Sequence, residues 1–182
     1  MDKIRLEMFK NNYEKYVKKI LNGDVFIYPT DTVYGIGCDA TNKDAVETIR
    51  RLKQRPKKAM SVIAPSKEWI IQNTNCDIKD LDFLPGKFTL IFTLSNTSCI
   101  AKNVTTKKIG VRIPDHPISD FVKKVGKPII TTSANISGQP TIKDWSDTPP
   151  SFKDKVKFFV SQGNITAPPS KVIDMETGTV LR

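Results

Sequence analysis

The stretch Pro128-Ile-Ile-Thr-Thr-Ser-Ala-Asn-Ile-Ser-Gly138 decides how this chain is read. Its first half is a short apolar β-branched run behind a proline, the pattern of a buried strand. Its second half is hydroxyls and a carboxamide, Thr131, Thr132, Ser133, Asn135 and Ser137, closed by Gly138. Ligands of α/β proteins sit beyond the carboxyl ends of strands, so a buried strand that runs out into polar side chains has the shape of a site edge. A polar loop built on Asx and Ser turns has the same composition, and the stretch alone leaves the two readings level.

The same arrangement occurs upstream. Val25-Phe-Ile-Tyr28 reads as an apolar strand stopped by Pro29, and Thr30-Asp-Thr-Val-Tyr-Gly-Ile-Gly37 follows with hydroxyls, an acid and two glycines that admit a ligand or a second backbone. Gly35-Ile-Gly37 lacks the third glycine of a dinucleotide fingerprint. Thr41 or Asn42 caps a helix to about Gln54, with Ala45, Val46, Ile49 and Leu52 inward and Pro56 as its stop. Lys53, Arg55, Lys57 and Lys58 then place four cations within six residues. They suit a helix C-terminus, and equally a cradle for phosphates with Arg as a fork and Lys as a point charge.

Further out, apolar runs predict strands over 61–64, 89–94, 109–114, 156–160 and 168–174, the last turning through Met175-Glu-Thr-Gly178 into a final strand. Helices are predicted over 2–22, from Pro65 or Ser66, and from Pro117 to Gly126. The segment after Gly138, with Pro140, Pro149 and Pro150, reads as loop. Arg112 lies inside an apolar strand and must be paired, either by a structural salt bridge or by a substrate carboxylate.

With 182 residues, the chain suits one domain, 1–182, large enough for a real core. Its 38% hydrophobic and 26% charged residues exclude disorder. A net charge of +10 points to an anionic partner such as nucleotide or RNA, although solvated lysine faces produce the same sum. Cys38, Cys76 and Cys99 form no C-x-x-C pair, which argues against a zinc site or disulfide framework and fits a reducing, cytoplasmic setting. No run reaches the ~18 apolar residues of a membrane span, and no apolar core of a secretion signal follows Met1. There is no P-loop, no H-E-x-x-H and no G-x-S-x-G. The sole histidine, His116, lies between Pro114 and Pro117 as a turn residue or a catalyst. What remains is cations, hydroxyls and amides, an inventory for binding and positioning a phosphorylated anion.

Five motifs occur in order: Tyr28-Pro-Thr-Asp-Thr-Val-Tyr-Gly-Ile-Gly37, Lys53-Gln-Arg-Pro56, Leu84-Pro-Gly86 with Thr89, Gly110-Val-Arg-Ile-Pro-Asp-His-Pro117, and Thr131-Thr-Ser-Ala-Asn-Ile-Ser-Gly138. Together they resemble the YrdC family of L-threonylcarbamoyladenylate synthases. Pro169-Ser-Lys-Val-Ile-Asp174 is similar to that family's serine-bearing C-terminal strand. The resemblance runs from about residue 10 to the end. It implies an α/β fold, a twisted mixed sheet with flanking helices around a basic cavity, in the single-domain form. It also implies the formation of L-threonylcarbamoyl-AMP and pyrophosphate from L-threonine, bicarbonate (or CO₂) and ATP, for the threonylcarbamoyladenosine of tRNA.

Carried over residue by residue, the resemblance implies a catalytic set of Lys53, Arg55, Ser133 and Asn135. It implies threonine contacts from Thr30, Thr32, Arg112, Thr132 and Ser170, and ATP contacts from Lys53, Arg55, Lys57, Ser133, Asn135 and Arg182. Mg²⁺ would come with ATP, bound by phosphates and water more than by protein ligands. The expected partners are tRNA and a threonylcarbamoyl transferase that receives the product, with no membrane. Two positions depart from the family pattern: Lys87 follows the Pro-Gly turn where many relatives have a further proline, and Ala64 stands where some carry a histidine. The runner-up is a non-catalytic protein binding tRNA or double-stranded RNA, for which no aromatic stacking motif is present. A third reading is an enzyme of the same fold acting on carbamoyl phosphate.

Overall fold

The structure is a computed structural model that describes residues 1–55 and 58–182, so Lys57 lies outside the described residues. In chain order the strands are β1 (Asp2–Arg5), β2 (Val25–Tyr28), β3 (Gly35–Gly37), β4 (Ser61–Ile63), β5 (Phe88–Thr93), β6 (Lys108–Arg112), β7 (Ile129–Ser133), β8 (Val156–Ser161), β9 (Lys171–Asp174) and β10 (Thr179–Val180). The helices are α1 (Leu6–Lys10), α2 (Tyr13–Leu21), α3 (Lys43–Leu52), α4 (Lys67–Asn73), α5 (Ile118–Val125) and α6 (Pro150–Lys153).

Strand β7 is the seam of one mixed sheet ordered β1-β8-β2-β3-β7-β4-β6-β5-β9-β10. It pairs antiparallel with β3 on one side, Gly35 opposite Ser133, and antiparallel with β4 on the other, Ser61 opposite Thr131. Helices cover the sheet, which is the α/β architecture read from the sequence. Strand β2 shows why its sequence is apolar at every position. Phe26 and Tyr28 enter a cluster with Phe9, Tyr16, Phe121 and Phe158, while Val25 and Ile27 enter the larger core with Ile36, Ile49 and Phe159. Alternate residues face opposite sides, so a strand buried on both has no polar position. Helices α1, α2 and α5 close the aromatic side, with ring centroids 4.7 Å apart for Phe9–Phe121 and 5.0 Å for Tyr16–Phe158.

The helix expected over 2–22 is three elements. Residues Asp2–Arg5 pair parallel with β8 instead, Asp2 opposite Phe158. The rest breaks at Asn11 and Asn12, where the Asn12 side chain donates to Met8 O at 2.8 Å. An asparagine amide competes with the main chain for such carbonyls, and the apolar stripe continues across the break because both helices face the same cluster. Gly23 does end α2, at φ +92°, with its N–H on Ile20 O at 2.9 Å. The segment after Gly138 carries a 3₁₀ turn at Trp145–Asp147 and the short α6, which starts on Pro150.

The glycines of the Gly35-Ile-Gly37 run serve close backbone approach. A Cβ on Gly37 would lie 2.2 Å from Ile130 O, so only glycine lets β3 pack this closely against β7.

Candidate active site

A cavity of about 770 Å³ opens over the middle of the sheet. Its wall takes Thr30 and Thr32 from the turn after β2, Arg55 from the turn after α3, Arg112 from β6, Thr131, Thr132 and Ser133 from β7, Asn135 just beyond it, and Ser170 and Arg182 from the C-terminal segment. Five cationic side chains (Arg55, Lys58, Lys108, Arg112, Arg182) line it against one carboxylate, Asp174. That carboxylate is held by the Lys108 ammonium at 2.9 Å, so the cavity presents a net positive wall.

Asn42 starts α3 by accepting from Asp44 N and Ala45 N, both at 3.1 Å. Ala45, Val46, Ile49 and Leu52 face inward as the helical spacing demands. After the helix the backbone reverses: Gln54 has φ +52°, a left-handed conformation uncommon for a residue with a side chain. Lys53 and Arg55 flank this reversal and go different ways.

Lys53 is 2% exposed and lies beneath the polar loop that ends β7, not among the side chains lining the cavity. Its ammonium donates to Ser133 O, to Asn135 O at 2.9 Å and to Asn135 Oδ1 at 3.2 Å, which uses all three of its N–H groups. Its own carbonyl accepts from Ser137 N at 3.1 Å. Asn135 Oδ1 also accepts from Ser133 Oγ at 2.6 Å, and Asn135 Nδ2 donates to Gln139 O at 2.6 Å. Lys53 thus fixes the loop, and Ser133 and Asn135 face the cavity from it. Burial, with Arg55 nearby, pulls the Lys53 ammonium from 10.5 down to about 8. A lysine depressed in the folded state binds fewer protons there than in the unfolded chain at intermediate pH. Its contribution to stability therefore rises as pH climbs from about 8 toward 10.5. The unfolding midpoint of the wild type, taken relative to Lys53→Met, should climb between pH 8 and 10, below the ordinary tyrosine value. A difference that is flat with pH would mean the ammonium bears no desolvation burden.

Arg55 lines the cavity, and its Nε is buried with no acceptor among the described residues. Burial, then Arg50 and Arg182, push its guanidinium below the ordinary arginine value, a sign of crowded positive charge.

Arg112 is 5% exposed on β6. Its Nη2 forms an ion pair with Asp31 Oδ1, and its Nη1 donates to Thr32 Oγ1 at 3.2 Å. Thr32 and Thr30 share a hydroxyl contact of 3.0 Å, and Thr30 Oγ1 donates to Val33 O at 2.7 Å. Thr30 also accepts from Thr32 N and Val33 N at 3.1 and 3.2 Å, so it builds the turn that presents Thr32. The structural salt bridge is present, and it leaves Arg112 Nε buried and without an acceptor. Ser170 Oγ and Thr89 Oγ1 lie 2.9 Å apart, and Arg182 Nε donates to Ser170 O at 3.3 Å. The pairing of Leu181 N with Val172 O brings the C-terminal arginine to the wall.

These geometries belong to a known family. A family model described as "Telomere recombination", built on Sua5, YciO and YrdC, matches residues 18–182. The chain belongs to the Sua5/YciO/YrdC family. The threonylcarbamoyl-AMP synthase of Vibrio campbellii is 32% identical over 181 residues, 94% of this chain and 98% of that one. Among solved structures, P. abyssi Sua5 complexed with L-threonine is 25% identical with a TM-score of 0.86; all of this chain is covered, and it spans 56% of that longer one. E. coli YciO, 24% identical with a TM-score of 0.84 and covered over 93% of its length, supports the fold.

Beyond the residues to which the resemblance gives a role, the cavity wall takes Lys58 from the cationic run, Thr89, Gly110, Thr131 and Asp174 from the quoted motifs, and Ser61 and Lys108 from outside them. Strand alternation carried the signal for two of them. If Arg112 faces the cavity, Gly110 and Lys108 on β6 share its face. A Cβ on Gly110 would lie 2.4 Å from Ser61 Oγ, so the missing side chain keeps that part of the cavity open. His116 has no place on the wall: its Nδ1 accepts from Ile118 N at 3.1 Å and its Nε2 meets Gln162 Oε1, which makes it the turn residue that starts α5.

Proposed function

We propose that this Sua5/YciO/YrdC chain, acting as one domain over 1–182, is a threonylcarbamoyl-AMP synthase. It makes L-threonylcarbamoyl-AMP and pyrophosphate from L-threonine, bicarbonate and ATP. The observation that carries this reading is a pair of guanidinium groups, Arg55 and Arg112, on the wall of one cationic cavity, each with a buried Nε that has no acceptor among the described residues. Buried donors are normally paired, so two unpaired ones on guanidinium groups of a cationic cavity wall support anion binding there. Two separate anions are what the reaction supplies, a triphosphate and an amino-acid carboxylate.

The chemistry asks little of acid–base groups. The threonine amine adds to CO₂ derived from bicarbonate and loses a proton, giving a carbamate. A carbamate oxygen attacks the α-phosphorus of ATP while the α–β phosphoanhydride bond breaks and pyrophosphate leaves. The protein gathers the anions and balances their charge. Arg55, with Arg182, holds phosphates, and Ser133 and Asn135 orient them from a loop that Lys53 keeps in place. Lys57 is assigned to ATP by family resemblance only. Arg112 takes the threonine carboxylate, while Thr32, Thr132 and Ser170 bond its polar groups and Thr30 holds Thr32 in position. Mg²⁺ enters on the triphosphate in this reading, held by phosphate oxygens and water. The adenylate is a reactive mixed anhydride and needs a transferase that delivers it to tRNA. None of the helices is long and apolar enough to cross a membrane among the described residues, and the site of action in this reading is the cytoplasm.

The test is pyrophosphate release from ATP by the purified chain. Release that requires both threonine and bicarbonate supports the synthase. Salt-sensitive RNA binding with no ATP consumption would replace it with the RNA-binding reading, and activity with carbamoyl phosphate in place of threonine and bicarbonate would redirect it to carbamoyl transfer.

A further inference from the structure

Arg50 occupies the last turn of α3 and is 7% exposed, yet it is absent from the cavity wall. An arginine has five N–H groups, and here each one reaches a backbone carbonyl. Nη1 donates to Arg55 O at 3.1 Å and Lys58 O at 3.0 Å, and Nε to Asn103 O at 2.8 Å. Nη2 donates to Asn103 O and to Val104 O at 3.3 Å. Arg55 N returns a bond to Arg50 O at 3.0 Å. Asn103 Nδ2 donates to Lys43 O at 2.9 Å, so the loop that receives Arg50 is itself tied to the first turn of α3.

This buried cation sits where positive charge is unwelcome, because Arg50 is one of the groups that push the Arg55 guanidinium down. An apolar side chain would fill a buried helix face without that repulsion. What it could not do is hold Arg55 O and Lys58 O, which belong to two residues whose side chains line the cavity, against one rigid fork. The carbonyls of Arg55 and Lys58 are gripped by a side chain that is itself absent from the cavity wall.

We propose that Arg50 is a positioning residue for the phosphate-binding side chains Arg55 and Lys58. It sets the backbone path at Arg55 and Lys58 and so the aim of both side chains at the nucleotide; this rests on the adenylate-forming reading of the cavity. Displacing a binding group by an ångström can cost orders of magnitude, so the effect should fall on ATP and spare threonine.

The experiment compares wild type, Arg50→Met and Arg50→Lys by steady-state kinetics, by calorimetric titration with ATP, and by hydrogen exchange. Arg50→Met should raise the KM for ATP about tenfold or more and leave that for threonine within about twofold. Exchange should quicken in the peptide holding Arg55 and Lys58 while β7 and β8 keep their protection. Arg50→Lys, with three donors in place of five, should fall between. Unchanged ATP affinity in folded Arg50→Met overturns the proposal. So does a parallel rise for ATP and threonine with global loss of protection, which is the signature of a scaffold residue alone. Should Arg50→Met fail to fold, Arg50→Lys decides, and wild-type ATP affinity in that variant overturns it. If the wild type releases no pyrophosphate with threonine, the adenylate reading falls separately, and ATP titration with exchange still judges Arg50.

Discussion

Arg55→Ala should lower threonine-dependent pyrophosphate release by ~10²–10³-fold, the usual cost of one well-placed charge stabiliser, and leave the thermal midpoint unchanged or raised. The two halves of that expectation have one cause. Burial and the charges of Arg50 and Arg182 work against the Arg55 guanidinium, and its Nε has no acceptor among the described residues. A group opposed in that way gives the fold little that alanine would forfeit. Bound triphosphate would supply both the missing acceptor and the missing negative charge. Arg55→Lys should recover part of the rate, as a point charge without the fork. Near-normal turnover in Arg55→Ala would remove Arg55 from the chemistry, and a large fall in midpoint would recast it as a structural residue.

The central strand was legible because both of its signals are local. Ile129 and Ile130 are apolar and β-branched because β7 is sandwiched between β3 and β4 and buried, and Thr131, Thr132 and Ser133 at the end of the strand and Asn135 just beyond it are polar because they line the cavity. The ends of α3 and α5 were legible for the same reason, as caps and glycines act within one turn. Strand β1 was not, because only its partner Phe158–Ser161, far away in sequence, makes Asp2–Arg5 a strand. Within the site, residue type located charge and hydroxyl but not direction. Lys53 and Arg55 look equivalent in the sequence, and the left-handed Gln54 between them sends one under the loop and the other to the wall. The pairing of Lys108 with Asp174 escaped notice because the two meet only through the tertiary arrangement, at 2.9 Å.

Arg112→Ala should have two consequences that a second substitution separates. The first is structural. Asp31 and Arg112 have side chains only 6% exposed, and removing the arginine leaves a buried carboxylate facing no cation, which typically costs ~3–5 kcal/mol. The second is functional: with no guanidinium to meet the threonine carboxylate, the KM for threonine should rise roughly 10²-fold or more, the scale of losing one partner of a buried charged contact. Asp31→Asn added to Arg112→Ala removes the stranded charge and keeps an amide oxygen where Asp115 N donates at 3.1 Å. Stability should then return most of the way, because taking away both members of a buried pair costs far less than taking one. The threonine requirement should stay high, since Asp31 pairs with the arginine and has no claim on the substrate. If the double variant recovers both, Arg112 serves the fold and the carboxylate site lies elsewhere on the wall. If it recovers neither, Asp31 has a role beyond its partner. Recovery of stability alone assigns the pair its two tasks: Asp31 and Thr32 hold the guanidinium, and the guanidinium serves the substrate.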